Sequence, residues 1–444
     1  MKHRLRASFL LLTLMLVTFT SMIGTPIQVS AASVDVQAKS AILVDAKTGK
    51  ILFEKEADLA LPPASMTKMM TEYLVLEAIE EGKISWDTTT QISDYPYSIS
   101  ANPSFSGVGL KQQKDYTVRE LYEAMAINSD NATTIALAQL VAGSEGEFVK
   151  MMNKKAKEMG LPDYQFVNST GLSNTDLGDN YPEGTKADAD NLLSARSAAL
   201  LAYNLANDYP QALEISSIPT TQFEDQQIQN WNWMLPGMPG QLAQFGYEGM
   251  DGMKTGWTDL AGYCFTGTAE RNGQRFISVV MKTESKEARF EETRKLMDFG
   301  FNQFEQKELF PANHQIEGKS TYPVTKGKED SVDIASAAPI KTMIEKGTED
   351  QYSVTYELDQ SKFNKDEKLT APIEKGEKIG TMKLQNSGDD FGYITDNGKQ
   401  AEAVDVVTQS AVEKANWFSL TLRAIGGFFG DIFSSITDTI TGWF

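Results

Sequence analysis

Apolar and polar positions along the chain follow two periods. The stretch "AILVDAKTGKILFE" (Ala41–Glu54) reads as two strands around a tight turn at Lys47-Thr48-Gly49. Apolar residues then recur at helical spacing over Ser65–Glu80, Val118–Ile127, Ala132–Val141, Glu145–Gly160 and Ala187–Ala206. Strand-like runs return at "YCFTGTAE" and "RFISVVMKT", and "EARFEETRKLMDFGFNQFE" (Glu287–Glu305) closes the segment as a helix. Strands at both ends with helices between them predict an α+β arrangement, one sheet covered by helices, over residues 32–306.

Beyond residue 306 the pattern changes. "SVDIAS", "YSVTYEL", "KIGTMKL" and "AVDVVT" alternate apolar and polar residues, and turn clusters such as "EKGTED" separate them. Residues 307–408 therefore read as a small all-β domain that carries no catalytic constellation of its own. In residues 409–444 the apolar positions Ile425, Phe428, Phe429, Ile432, Phe433, Ile436, Ile440, Trp443 and Phe444 fall at helical spacing, with Arg423, Asp431, Ser434, Ser435, Asp438 and Thr441 between them. That run is too polar to span a bilayer. It suits an amphipathic helix lying in a membrane interface, held by apolar burial because few basic residues are present. The other reading is a helix packed on the protein's own core.

The N-terminus has a different logic. Lys2, Arg4 and Arg6 precede an apolar stretch from Ser8 to Thr18, and Val29-Ser30-Ala31 offers small residues for cleavage, so residues 1–31 read as a secretory signal. A transmembrane anchor is the alternative, and the shortness of the run argues against it. The chain carries a formal charge of −19; three of its 41 basic residues leave with the signal, so 38 face 60 acidic ones. So acidic a chain is a poor partner for nucleic acid. Cys264 is the only cysteine, so an intramolecular disulfide is excluded and Cys264 reads as inert packing. The only histidines are His3 and His314, and His3 lies in the signal. A histidine-rich or thiolate metal site has no ligands, and no cofactor is expected. Hydrolytic chemistry here needs a base other than imidazole, and lysine is the obvious candidate.

Ser65-Met66-Thr67-Lys68 supplies one. Ser-x-x-Lys occurs once in the chain, and about one or two copies are expected from composition alone, so its context has to decide. Pro62-Pro63 places Ser65 near a helix N-terminus, where free N–H groups can face an oxyanion. Residues i and i+3 share a helix face, so Lys68 can reach the Ser65 hydroxyl. A serine–lysine acyltransferase also needs Ser-x-Asn and Lys-Thr-Gly. Both occur twice. Ser100-Ala101-Asn102 lies in a loop rich in Ser, Pro and Gly, whereas Ser129-Asp130-Asn131 separates two apolar helical runs, where polar residues carry a desolvation cost unless they line a cleft. Lys47-Thr48-Gly49 is explained by its hairpin turn, whereas Lys254-Thr255-Gly256 lies beside a strand, with Gly256 leaving room for a substrate backbone. The second copy of each is preferred.

With those residues in order, the chain resembles the penicillin-binding serine D,D-carboxypeptidases of the low-molecular-weight type. "LPPASMTKMMTEYLVLEAI", "QFVNSTGL", "GMKTGWTDLAGYCFTGTAERNG" and "EARFEETRKLMDFGF" carry the resemblance, as does the aromatic C-terminus. It implies a fold like that of serine β-lactamases and DD-peptidases, with a helical subdomain. It implies removal of the terminal D-alanine from the peptidoglycan stem pentapeptide, and acylation by β-lactam antibiotics. It also implies an exported enzyme held at the outer face of the cytoplasmic membrane. Ser65 would be the nucleophile and Lys68 its base, which requires a neutral amine; burial and a nearby Lys254 both push in that direction. Ser129 would relay a proton to the leaving group, and Asn131 would hold the peptide carbonyl. Backbone N–H groups of Ser65 and Trp257 would form the oxyanion hole. Thr255 with Arg289 would bind the terminal carboxylate. Arg196 matches a family position near the site, with a structural salt bridge as the competing reading, and Asp130 departs from members with alanine or glycine there.

Two rival functions remain. A serine β-lactamase shares the three motifs, but its class A members deacylate with a glutamate in a Glu-x-x-Leu-Asn loop, and Glu158 in "EMGLP" is the nearest approach to one. An inactive peptidoglycan-binding scaffold is the other, and intact motifs argue against it.

Overall fold

The computed structural model describes residues 34–395, 398, 402–418 and 420–421. The secretory signal and the amphipathic run of residues 422–444 lie outside the described residues. Over Val36 to the end of the described chain, five antiparallel strands form the central sheet. They are β1 (Ser40–Asp45), β2 (Ile51–Lys55), β3 (Met250–Thr258), β4 (Gly262–Arg271) and β5 (Gln274–Thr283), in the order β2-β1-β5-β4-β3. The first and last strands in sequence therefore meet in the middle, with Ser40 opposite Met281 and Asp45 opposite Phe276.

Both faces of β1 are covered, which is why the strand reads as a continuous apolar run. Ile42 and Val44 join the main core, whereas Leu43 between them lies against Gly300 of helix α8 (Ala288–Gln303). At the core's centre runs α1 (Lys68–Glu80), buried from Lys68 through Leu76. A helix apolar on all sides needs partners on all sides. They are α3 (Val118–Asn128), α4 (Asn131–Ala142), α5 (Glu145–Met159) and α6 (Ala195–Asp208). Each of these four starts at a polar cap. Thr117 and Glu120 form a capping box on α3, and the side chains of Asp130, Ser144 and Ser194 accept from backbone N–H groups of α4, α5 and α6.

The sequence reading differs from the structure at several edges. Periodicity placed the start of α6 at Ala187, but Ser194 caps the helix and Leu192–Leu193 pairs as a short strand with Tyr164–Gln165. Helices α2 (Asp94–Ser100) and α7 (Gln211–Ser216) and a hairpin of Thr220–Phe223 with Gln226–Gln229 are too short to show a period. Phe304 and Glu305 leave the helix and open β6 (Phe304–Phe310), which pairs with β9 (Ile340–Glu345).

The β-rich part holds a six-stranded sheet. Its strands are β7 (Thr321–Thr325), β8 (Ser331–Ser336), β10 (Tyr352–Leu358), β11 (Leu369–Thr370), β12 (Lys378–Asn386) and β13 (Ala403–Thr408), in the order β10-β12-β13-β8-β7-β11. Val332, Ile334, Ile379, Met382 and Val406 fill its core. The chain between β12 and β13 touches the turn joining β1 and β2, through a bridge between Lys50 and Tyr393 and an ion pair of Lys50 with Glu402 at 3.2 Å. No helix among the described residues is long and apolar enough to cross a membrane.

The sheet–helix seam gives a test of where stability resides. Phe276 is fully buried on β5, with its ring 4.8 Å from that of Phe301 of α8. Phe276→Ala is expected to cost about 3–5 kcal/mol, read as a lower denaturant midpoint with an unchanged slope.

Candidate active site

Ser65 lies on a single 3₁₀ turn, Ala64–Thr67, that runs directly into α1. Lys68 is the first residue of α1 and is fully buried. Its Nζ makes three contacts: Ser65 Oγ at 2.9 Å, Asn131 Oδ1 at 2.8 Å and the Thr170 carbonyl at 2.9 Å. Burial holds its pKa well below the ordinary lysine value, and the Lys254 charge adds to the effect, against weaker opposing fields from Asp130 and Glu72. A neutral amine has two N–H donors and one lone pair. The carbonyl oxygens of Asn131 and Thr170 take the two donors, which leaves the lone pair for the Ser65 hydroxyl.

Each of the surrounding groups is fixed by local structure. Ser129 ends α3 in a left-handed conformation, φ 62°, and is 4% exposed. Asp130 then caps α4, its carboxylate accepting from Thr133 N and Val108 N, each at 2.6 Å. This structural duty accounts for an acid at 130. Asn131 follows as the first residue of α4, with its Nδ2 donating to Ser106 O at 3.3 Å. The Thr170 carbonyl is aimed by Asn168, whose Oδ1 accepts from the N–H groups of Thr170 and Gly171 and from Asn191. Sequence reasoning quoted this "VNSTGL" stretch for its resemblance but gave Thr170 no part, since a backbone carbonyl leaves no mark on residue type.

Two glycines let distant segments close on the Ser65 turn. A Cβ on Gly171, φ +88°, would lie 1.8 Å from the Ala64 carbonyl oxygen, and one on Gly256 would lie 2.4 Å from that of Pro63. Gly256 is therefore required by the protein's own backbone, a stronger reason than the substrate clearance expected from sequence. Ala64 itself is held at φ 48° between them.

Strand β3 brings the cationic groups. Lys254 is 2% exposed and Thr255 5% exposed. Burial lowers the Lys254 pKa, Glu72 raises it and Arg289 lowers it, and Lys254 stays protonated at neutral pH. Arg289, from the first turn of α8, donates Nη1 to the Gly256 carbonyl at 3.3 Å. Its Nε has no hydrogen-bond partner among the described residues, although the side chain is buried. Burial lowers its pKa to about 10, still cationic at neutral pH. Trp257, next along β3, is 52% exposed, its ring 6.0 Å from that of Tyr263.

Other candidates fall elsewhere. Arg196 pairs with Asp58 at 2.5 Å and Glu54 at 2.7 Å, a salt bridge at the head of α6. Ser100 Oγ accepts from Leu110 N across its loop, and Asn102 Oδ1 accepts from Ser104 N in a local turn. Lys47-Thr48-Gly49 is turn chemistry, with Thr48 donating to the Asp45 carboxylate and Gly49 at φ +73°. His314 packs on Phe310 in the β-rich part, and the Cys264 thiol, pushed up to about 11 by burial, is fully enclosed.

The sequence profile of the D-alanyl-D-alanine carboxypeptidase family, peptidase S11, matches residues 27–285. The chain belongs to that family. A second profile, the C-terminal domain of penicillin-binding protein 5, matches residues 304–414. D-alanyl-D-alanine carboxypeptidase DacF of Bacillus subtilis is 34% identical over 80% of this chain and 82% of its own. A solved structure of a peptidoglycan synthesis regulatory factor (PBP3) from Streptococcus pneumoniae aligns at 37% identity with a TM-score of 0.68, covering 85% of this chain and 99% of that one. Penicillin-binding protein D2 of Listeria monocytogenes, solved in its cefotaxime-bound form, aligns at 33% identity and a TM-score of 0.52 over 61% of this chain and 99% of its own. The S11 fold, a helix-covered antiparallel sheet followed by a β-rich domain, is the one described above.

The glycine seam is open to measurement. Gly171→Ala is expected to lower the rate of D-alanine release from a D-Ala-D-Ala peptide on the order of 100-fold, because the Ala64–Ser65 turn must move. Gly82→Ala, equally left-handed at φ +71° but with nothing within 4 Å of the new methyl, leaves that rate unchanged.

Proposed function

We propose that the three motifs act together as a serine D,D-carboxypeptidase site that removes the terminal D-alanine of the peptidoglycan stem pentapeptide through a Ser65 acyl-enzyme. The observation that carries the reading is the Lys68 amine, buried and 2.9 Å from Ser65 Oγ with its two other contacts on fixed oxygen acceptors. Lys68 takes the Ser65 proton as Oγ attacks the penultimate D-alanine carbonyl. Backbone N–H groups of Ser65 and Trp257 receive the developing oxyanion, a contribution of the kind worth about 3–4 kcal/mol per donor where it has been measured. Ser129 relays the proton to the leaving D-alanine amine, and Asn131 holds the peptide carbonyl. Water then releases the acyl group.

Arg289 and Lys254 explain the preference for a chain end. Both are buried cations outside any ion pair among the described residues. A buried charge without a partner is costly, and the substrate's terminal carboxylate, bound with Thr255 and Gly256, supplies the missing one. A β-lactam carries a carboxylate in the same relation to its reactive carbonyl, which makes such drugs covalent inhibitors of this site. Cefotaxime in the Listeria relative is consistent with that.

The domain reading follows from the same chain of argument. A signal ends at Ala31, the catalytic part closes with α8, and the β-rich part runs from β6 to the bridge between Ile373 and Val412. The aromatic run after it tethers the exported enzyme peripherally to the outer face of the cytoplasmic membrane.

Two measurements test these readings. Labelled penicillin is expected to stay on Ser65 for many minutes, located by mass spectrometry, and Ser65→Ala is expected to lose both the adduct and D-alanine release; rapid turnover of the adduct would instead make the protein a β-lactamase. A chain ended after Ala415 keeps the Val412 pairing and is expected to remain active but to leave the membrane fraction; its retention there would reject the tether.

A further inference from the structure

Lys68 Nζ leans on two oxygen acceptors of different kinds. Asn131 Oδ1 is carried by the first residue of helix α4, whereas the Thr170 carbonyl, at 2.9 Å, belongs to a loop. A loop carbonyl is only as steady as the loop. Asn168 shapes this one from inside, and Ser169 attaches it to three helices. The Thr71 hydroxyl, three residues after Lys68 on α1, donates to the Ser169 carbonyl at 2.8 Å. Glu145, the first residue of α5, takes the remaining polar groups of Ser169. Its Oε1 accepts from Ser169 N at 2.9 Å and from Ser169 Oγ at 2.5 Å. Its Oε2 accepts from Tyr95 Oη of α2 at 3.0 Å.

Glu145 is 4% exposed, and Ser169 and Thr170 are fully buried. Its polar contacts among the described residues are these three donors, with no cation among them. A buried acid is expensive to keep unless its hydrogen bonds are used. Helix α5 does not need it as a cap, because Ser144 fills that role. What the acid holds still is the backbone beside the Lys68 contact. With Thr170 N and Gly171 N on Asn168 Oδ1, every polar backbone atom from Ser169 N to Gly171 N has a partner. The Thr170 carbonyl then has one direction open to it, and Lys68 stands in that direction.

We propose that Glu145 is a positioning residue for the Ser65–Lys68 pair: it anchors Ser169 to α5 and α2, and so keeps the Thr170 carbonyl against Lys68 Nζ. The proposal rests on the serine–lysine reading of the site and adds to it a residue outside the three motifs. The role asks the side chain for acceptor oxygens, not for a charge. If the anchor is lost and the carbonyl drifts, one N–H of the neutral amine loses its acceptor. The amine is then free to turn, and its lone pair no longer points at the Ser65 hydroxyl.

Acylation of Ser65 by labelled penicillin is the test. Its concentration dependence separates the dissociation constant of the first complex from the rate constant of bond formation. Glu145→Ala leaves Ser169 N, Ser169 Oγ and Tyr95 Oη without their acceptor. It is expected to lower the rate constant on the order of tenfold or more, with the dissociation constant, set on this reading by Lys254, Thr255 and Arg289, unchanged. Glu145→Gln keeps an oxygen for Ser169 and offers an N–H that Tyr95 Oη can accept, and is expected to recover most of that loss. Ser169→Ala removes one of the two bonds to Glu145 and is expected to lower the same constant by less. A wild-type rate constant in Glu145→Ala, a fall carried by the dissociation constant, or a Glu145→Gln as slow as Glu145→Ala would overturn the proposal. So would a Glu145→Ala sample in which fewer molecules react but each reacts at the wild-type rate, because the acid would then serve folding alone. If Glu145→Ala does not fold, an unchanged rate constant in Ser169→Ala overturns it equally. Absence of a Ser65 adduct in the wild type would refute the site reading itself, a separate outcome.

Discussion

An amine must be kept uncharged within hydrogen-bonding distance of a hydroxyl, and most of this molecule is arranged to satisfy that requirement. Lysine in water holds its proton at neutral pH. Lys68 is denied water by a helix that is apolar on every side and by four further helices packed around it. Desolvation is the leading cause of its lowered pKa and the Lys254 charge the second. The contact geometry agrees with the electrostatics. Two of the three contacts are oxygen acceptors with no proton to give, so a neutral amine is left with one free direction, toward Ser65. An ammonium would donate in all three directions and could not accept the serine proton.

Holding that geometry takes segments far apart in sequence. The Ser65 turn is clamped between the Asn168–Gly171 loop and strand β3, with backbone oxygens of Ala64 and Pro63 pressed so close that only glycine fits at 171 and 256. Strain appears on both sides of the cleft, in the positive φ of Ala64 and of Ser129. Neither residue is glycine, and conformations of this kind persist where the surroundings over-determine them. The capping of α4 by Asp130 supplies that over-determination at one wall, since it fixes Ser129 and Asn131 on either side of itself.

Much of this was legible in residue types, and the duplicates show why. Two copies of Lys-Thr-Gly and two of Ser-x-Asn are indistinguishable as patterns, yet turn chemistry alone separates them. Thr48 and Gly49 are used up by a hairpin, and Asn102 by a local turn. What was not legible has physical causes too. The Thr170 carbonyl is backbone and leaves no trace in composition. That Gly256 must also admit the Pro63 carbonyl could not be read, because that approach is set by tertiary packing. The start of α6 was misplaced because "ADADNLL" holds apolar spacing by accident of a short strand that pairs with Tyr164–Gln165.

The chain's charge and the site's charge have opposite signs, and the contrast bears on specificity. The protein carries a net −19, so its distant field does nothing to gather an anionic peptide end. Recognition therefore has to be short-range. On the proposed reading Lys254 and Arg289 supply it from inside the fold, where the local dielectric is low and salt screens little. An unpaired guanidinium in that setting gains most from a ligand that brings a carboxylate and displaces no existing ion pair. A peptide continuing past the D-alanine that leaves would bury the same two cations without neutralising them. Selectivity for a free chain end then follows from charges already buried, with no closing lid or added subsite required.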